Sequence, residues 1–259
     1  LDKIVELLAP RLPFEALSSI RAVFRVGSHS HGTYIPPTEP TGVDDTDFMV
    51  VVIPPKWFKL SLRTFDGLQV QEQGYDIVVY EWSKFHRLLL KNNPNVIGCL
   101  FLDREDSWTP DGNILDAEWH RARIVSQDMY PAFIGYAKAQ LYKMEHLASE
   151  GYMGQKRKDL KAKFGYDVKN AAHLVRLMTM AIETLETGRM EVRRPPMEAK
   201  RLIHIKQGGW TLEQVKHEAE ALFDRAVTAL HNTKLPAHPD DSVVNQLVID
   251  GYLEWWHLE

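Results

Sequence analysis

Cysteine is all but missing from this chain. Cys99 is the one cysteine in 259 residues, so no intrachain disulfide can form and a zinc site built on several thiolates is excluded. The expectation is a protein of a reducing, cytoplasmic compartment. Long hydrophobic runs are missing as well. FMVVVI at 48–53 is far short of the roughly 20 apolar residues with which a helix crosses a bilayer. The opening LDKIVELLAPRLPF carries charges inside its short apolar stretch, unlike a secretion signal. No membrane partner is expected. Nor is there an excess of basic charge: 31 Lys plus Arg stand against 35 Asp plus Glu, a net of −4, which argues against a protein that coats nucleic acid indiscriminately. The motifs GxxxxGK[ST], HExxH and GxSxG do not occur, so a P-loop NTPase, a metalloprotease of that type and an α/β-hydrolase lose support.

What is present is an ordinary globular composition, 44% hydrophobic and 25% charged, with an uneven charge distribution. Between Lys138 and Lys206 there are 15 Lys plus Arg and 8 Asp plus Glu, a balance of +7 that leaves −11 for the rest. The patterning divides the chain in the same way. Segments 22–26, 47–53 and 76–80 are rich in Val, Ile and aromatics and predict core strands. SKFHRLLLKNN at 83–93 predicts a helix capped by Ser83 and stopped before Pro94. Beyond residue 126 the period becomes 3.6, with helices expected at about 128–148, 167–187 (ended by Gly188), 211–231 (opened by a capping box from Thr211 to Gln214) and 243–255. The expected fold is α+β: a small mixed-sheet domain over 1–125, then an α-helical domain over 126–259.

The chemistry concentrates in VGSHSHGTYIPPTEPTGVDDTDFMVVV at 26–52. A strand ends at Gly27, where the missing side chain allows a sharp turn, and Ser28 adds a hydroxyl beside backbone N–H groups, a plausible phosphate cradle. Seventeen residues later Asp45 and Asp47 head a strand, and the period of two points both carboxylates to one face. Such a pair needs a neutralising cation, and Mg²⁺ takes one or two carboxylates plus phosphate oxygens. Asp76 opens the next strand. If the strands are neighbours, the three acids can hold two metals roughly 3.5–4 Å apart.

Gly27-Ser28, Asp45-Thr46-Asp47 and Asp76 together resemble the DNA polymerase β-like nucleotidyltransferase superfamily. GYMGQKRK at 151–158 and GYDVKNAAHLVRL at 165–177 extend the resemblance to stand-alone predicted nucleotidyltransferases of bacteria and phages. One departure is the loop IPPTEPTG, which widens the gap between turn and acids. The resemblance implies transfer of a nucleoside monophosphate from a nucleoside triphosphate to an acceptor hydroxyl, releasing pyrophosphate, with two Mg²⁺ or Mn²⁺ ions. It implies that Ser28 and nearby N–H groups hold the β and γ phosphates, that Asp45, Asp47 and Asp76 bind metal, and that Asp76 helps deprotonate the acceptor. A helical domain would close one wall of the cleft. The acceptor is open among RNA, a protein hydroxyl and a small molecule, with the basic segment favouring a tRNA-like or other RNA. A non-catalytic nucleotide- or nucleic-acid-binding module that keeps the fold is the competing reading.

Other residues have a functional and a plain reading. Lys156, Arg157 and Lys158, with Lys161 and Lys163, fit triphosphate or a nucleic-acid backbone, or else form a solvated helix face. Lys169, His173 and Arg176, spaced by four and three, make a cationic stripe for the nucleotide, or a solvent face. Arg193-Arg194 before Pro195-Pro196 reads as an exposed loop. His29 and His31 lack a third ligand for zinc and read as phosphate neighbours or exposed side chains. Cys99 reads as buried filler.

Overall fold

Phe48 to Val52 is apolar at every position, the pattern of a strand buried on both faces rather than one. In the computed structural model this segment is the middle of a sheet. The structure describes residues 1–42, 44–109, 118–145 and 155–257, with only the backbone described for Glu118, Trp119, Lys143, Glu145, Lys156 and Arg157. The chain runs through α1 (Asp2–Leu8), α2 (Ala16–Ser19), β1 (Ile20–Arg25), α3 (Gly27–Ser30), β2 (Thr46–Val52), α4 (Lys56–Lys59), β3 (Gly67–Glu72), β4 (Tyr75–Glu81) and α5 (Trp82–Leu90). After β5 (Ser107–Trp108) it is helical: α6 (Glu118–Ile124), α7 (Met129–Glu145), α8 (Gln155–Phe164), α9 (Val168–Thr187), α10 (Pro196–Lys206), α11 (Leu212–Asn232) and α12 (Asp241–His257). None of these helices is long and apolar enough to cross a membrane.

The sheet order is β3-β4-β2-β1-β5, with β2 and β4 parallel and the other pairs antiparallel. The three expected strands are there. Two more, β3 and β5, were not read from the sequence. β3 forms a hairpin with β4 whose two loop residues, Gln73 and Gly74, both have positive φ (54° and 80°), the conformation that matches the twist of the flanking strands. Because β3 lies outside β4, β4 returns beside β2 in the same direction, and Asp47 becomes the register partner of Asp76.

Alternation along β2 splits the core. Met49 and Val51 pack with Ala22, Phe24, Phe85 and the helical residues Met129, Phe133, Leu177 and Met180. Val50 and Val52 pack on the other face with Ile20, Ile77, Val79 and the N-terminal Ile4, Leu7 and Leu8. Asp47 shares the parity of Met49 and Val51, so it looks toward the helices. A third cluster holds α7, α9, α10 and α11 together through Leu174, Met178, Leu202 and Leu222.

Three local expectations are corrected. The cap of α5 is Glu81, whose carboxylate accepts from the N–H groups of Ser83 and Lys84; Ser83 instead donates its hydroxyl to Glu81. A carboxylate reaches two amides where a hydroxyl reaches one, and charge favours it at a helix start. Arg194 is not on an exposed loop: it is 5% exposed, forked onto Glu198 and paired with Glu183. The prolines that suggested a loop open α10, where Pro196 fits the first helical position. His31 is buried, not exposed.

Candidate active site

Strand pairing sets the centre of the site. The N–H of Val26, just past β1, donates to the carbonyl of Asp47 at 2.9 Å, which lays the following turn against the Asp47 side chain. Gly27 has φ +67°, and a Cβ there would sit 1.9 Å from Asp47 Oδ2. Glycine is therefore required twice over, for the backbone and for the space. Next to it Ser28 is buried, with no hydrogen-bond partner for its hydroxyl among the described residues. An unpaired buried hydroxyl costs about 1–3 kcal/mol and marks a place where a polar ligand would be welcome.

Asp76 faces Asp47 across the β2–β4 ladder. Its two carboxylate oxygens accept from the side-chain amides of Gln69 (2.7 Å) and Gln71 (2.8 Å) on β3. Asp45 precedes β2, is exposed, and lies outside the lining of the cavities at this end of the sheet. Its neighbour takes the inner place. Asp44 is 1% exposed; its Oδ2 accepts from the N–H of Ile35 (2.9 Å) and from Lys206 Nζ (2.5 Å), and Lys169 Nζ lies 3.3 Å from Oδ1. Lys206 also donates to the carbonyl of Thr33. One buried carboxylate thus ties the loop after the Gly-Ser turn to the start of α9 and the end of α10.

A cavity of about 200 Å³ opens here, with Ser28, Asp44, Asp47, Lys169, Arg176 and Lys206 in its lining. A second, of about 400 Å³, runs on past Asp47 and Asp76 beneath Met180 and Val192. The stripe Lys169, His173 and Arg176 of α9 forms the wall opposite Gly27 and Asp47. His173 stacks on Tyr136. Lys158 is exposed and lines neither cavity, while the side chains of Lys156 and Arg157 lie outside the described residues. His31 hands its Nδ1 to a contact with the carbonyl of Val192 (3.0 Å), and His29 packs on Tyr34. Cys99 is buried filler beside Met49.

The electrostatics follow from this burial. Desolvation raises the pKa of Asp47 to about 6; Lys169 opposes it, and Asp76, Asp44 and Asp45 push the same way. Burial also raises Asp44, but Lys206, Lys169 and the Ile35 N–H outweigh it and hold Asp44 below the ordinary carboxylate value. Burial, then Arg176, drives His31 well below its ordinary value, so it is neutral at pH 7. Burial and then Arg194 push Arg176 down to about 10, which still leaves it charged at neutral pH.

A carboxylate pushed up by burial and by three other acids lacks a counter-charge, and a divalent cation beside Asp47 and Asp76 would supply it. The donor set is hard oxygen, as Mg²⁺ or Mn²⁺ prefers. Asp45, Asp47 and Asp76 do not bring their oxygens together as tightly as Asp103, Glu105 and Asp106, whose ligand atoms lie within 4.8 Å of one another. That second cluster has its counter-charge in place: Arg193 reaches all three residues, and Arg25 adds a bond to Asp106.

Sequence reading missed Asp44, Lys206, Gln69 and Gln71. Alternation in GLQVQE before Gln73-Gly74 is a hairpin signal that would have found the glutamines. Nothing local marks Lys206, which is 162 positions from Asp44.

A family model described as the RNA repair pathway DNA polymerase beta family, RlaP, matches residues 13–250. A crystal structure of a nucleotidyltransferase-like protein from Exiguobacterium sibiricum 255-15 aligns with 98% of this chain and 90% of its own, at 11% identity. Its TM-score of 0.29 is too low for the superposition to carry any argument. No curated protein matches.

Proposed function

Because the chain belongs to the RNA repair pathway DNA polymerase beta family, we propose that it is a nucleotidyltransferase that moves a nucleoside monophosphate from a nucleoside triphosphate to an acceptor hydroxyl. The observation that carries this reading is the pairing of Asp47 with Asp76 on parallel neighbours, facing a cationic wall across a cleft. Carboxylates on one side and Lys169, Arg176 and Lys206 on the other suit a polyphosphate bound with a divalent cation.

The Ser28 hydroxyl, Lys169, Arg176 and Lys206 bind the triphosphate and balance its charge. Asp47 and Asp76, with Asp45 at the rim, hold one or two Mg²⁺ or Mn²⁺ ions. When bound, these ions neutralise phosphate charge and lower the pKa of the attacking hydroxyl. Asp76, oriented by Gln69 and Gln71, accepts the hydroxyl proton. The acceptor oxygen bonds to the α-phosphorus while the bond to the bridging oxygen breaks, and pyrophosphate leaves with the electron pair. Residues up to about 125 supply the acids, and the helices beyond supply the opposing wall. RNA is the acceptor this reading favours, supported by the family's description and by the basic Lys138–Lys206 segment.

The test is transfer of label from each α-labelled triphosphate to an RNA pool in the presence of Mg²⁺ or Mn²⁺. Transfer that disappears in Asp47→Ala and Asp76→Ala upholds the reading. Tight nucleotide binding without transfer or pyrophosphate release points instead to a binding module.

A further inference from the structure

The two cavities differ in chemistry and share a wall. Gly27, His31, Asp47, His173 and Arg176 line both. Lys169, Lys206 and Ser28 belong to the smaller one alone. The larger adds Met49, Val78, Leu102, Met180 and Val192, with Asn95 and Gln69 among its few neutral polar groups. A ligand spanning both has a highly charged tail, a junction at Asp47 and a mainly apolar head.

Resting on the nucleotidyltransferase reading, we propose that the larger cavity is a nucleobase pocket, holding the base of the triphosphate while the tail lies in the smaller cavity and the α-phosphorus sits at their shared wall. Its volume of about 400 Å³ falls in the range of roughly 300–1,000 Å³ usual for small-ligand sites. A sugar or a second phosphate there would bring hydroxyls or charges that Leu102, Met180 and Val192 cannot satisfy. A heteroaromatic base presents two apolar faces and one polar edge. The thioethers of Met49 and Met180 are polarisable partners for such a ring, and the Asn95 amide offers both a donor and an acceptor to its edge. Asp76, one strand in from the sheet margin formed by β3, is left for an acceptor arriving from solvent.

Gly98 provides the test. It lines the larger cavity only. A Cβ added there meets nothing closer than Val192 Cγ2 at 3.8 Å, an ordinary contact, and the backbone is not in the left-handed region. Gly98→Leu would therefore project into the cavity without touching Asp47, Asp76 or the lysines. Binding of the four ribonucleoside triphosphates and of inorganic triphosphate, each with Mg²⁺, is measured by calorimetry. We expect Gly98→Leu to weaken nucleotide binding by about tenfold or more, the size of a typical overpacking cost, and to leave inorganic triphosphate unchanged, which also reports an intact fold. Gly98→Ala gives a smaller loss of the same kind and replaces the leucine variant if that one fails to fold. Lys206→Met weakens both ligands. Unchanged nucleotide affinity in both Gly98 variants overturns the pocket while leaving the nucleotidyltransferase reading in place. So does unchanged nucleotide affinity with a raised KM for the RNA acceptor, which would assign the cavity to the acceptor. If wild type binds neither nucleotide nor inorganic triphosphate, the underlying reading fails and the pocket with it.

Discussion

At neutral pH Asp47 must hold a negative charge where water is scarce and where Asp76, Asp44 and Asp45 add to the repulsion; only Lys169 relieves it, and the pKa stands at about 6. For a carboxylate raised in this way the native state favours the proton. The penalty is absent below the unfolded value near 4 and grows as pH rises, reaching its full size above about 6. Asp47→Asn should therefore stabilise the metal-free protein at pH 7.5, by an amount on the order of 2 kcal/mol, while abolishing transfer. Thermal melts at pH 4 and 7.5 check this, since the gain should vanish at the lower pH. Mg²⁺ should raise the wild-type Tm and not that of the variant, and transfer should rise with pH through a limb near 6. Asp44 has the opposite sign. Its pKa is depressed, so its contribution is present above the ordinary carboxylate range and is lost as pH falls through the folded value. Asp44→Asn leaves the buried ammonium of Lys206 without its counter-charge and should cost about 3 kcal/mol in urea denaturation at pH 7, with the difference shrinking in acid.

Among the elements, α9 shows how one helix serves both core and site. Asp167 accepts from the Asn170 N–H at its start, and Gly188 ends it in the left-handed conformation at φ 75°. One face, through Leu174, Met178 and Ile182, packs on α7, α10 and α11, while Lys169, His173 and Arg176 look into the cleft. The stripe is not a plain solvent face, because Lys169 contacts Asp44 and Arg176 donates to Met180 Sδ at 3.1 Å. The position of α9 depends on α11, with which it packs over most of its length and whose start is secured by a complete capping box of Thr211 and Gln214. Thr211→Ala should cost about 1 kcal/mol, read as a shifted urea midpoint with an unchanged slope.

Across the whole molecule, the C-terminal helix α12 locks the sheet to the helical layer. Trp82 donates to the carbonyl of Val248 (3.1 Å), Trp256 donates to that of Pro54 (3.0 Å), and Tyr252 shares Glu81 with Lys59. Gly251 lies directly under the Trp82 ring, where a Cβ would come 2.6 Å from Cζ2. Gly251→Val should therefore push α12 off and destabilise the protein by about 1–3 kcal/mol, with a change in tryptophan emission accompanying unfolding. The sheet residues Phe24 and Met49 share one cluster with Met129, Phe133, Leu177 and Val244. The loss should accordingly register in a transition that reports sheet and helices together.

Amino-acid pattern alone determined the strands at 20–25, 46–52 and 75–81, the helices of the second half and their capping by Thr211 and Gly188, because periodicity and caps are local properties. It also marked Gly27, Ser28, Asp47 and Asp76 as candidates. Tertiary structure decided the rest, since contacts between distant segments leave no local signature. Tight approach of Gly27 to the Asp47 carboxylate, the inward place of Asp44 rather than Asp45, and the arrival of Lys206 from the far end of α10 all depend on the β2–β4 register and on how the helices pack across it. Arg194 and His31 likewise lost their expected exposure only when Glu183, Glu198 and Val192 were brought to them by that packing.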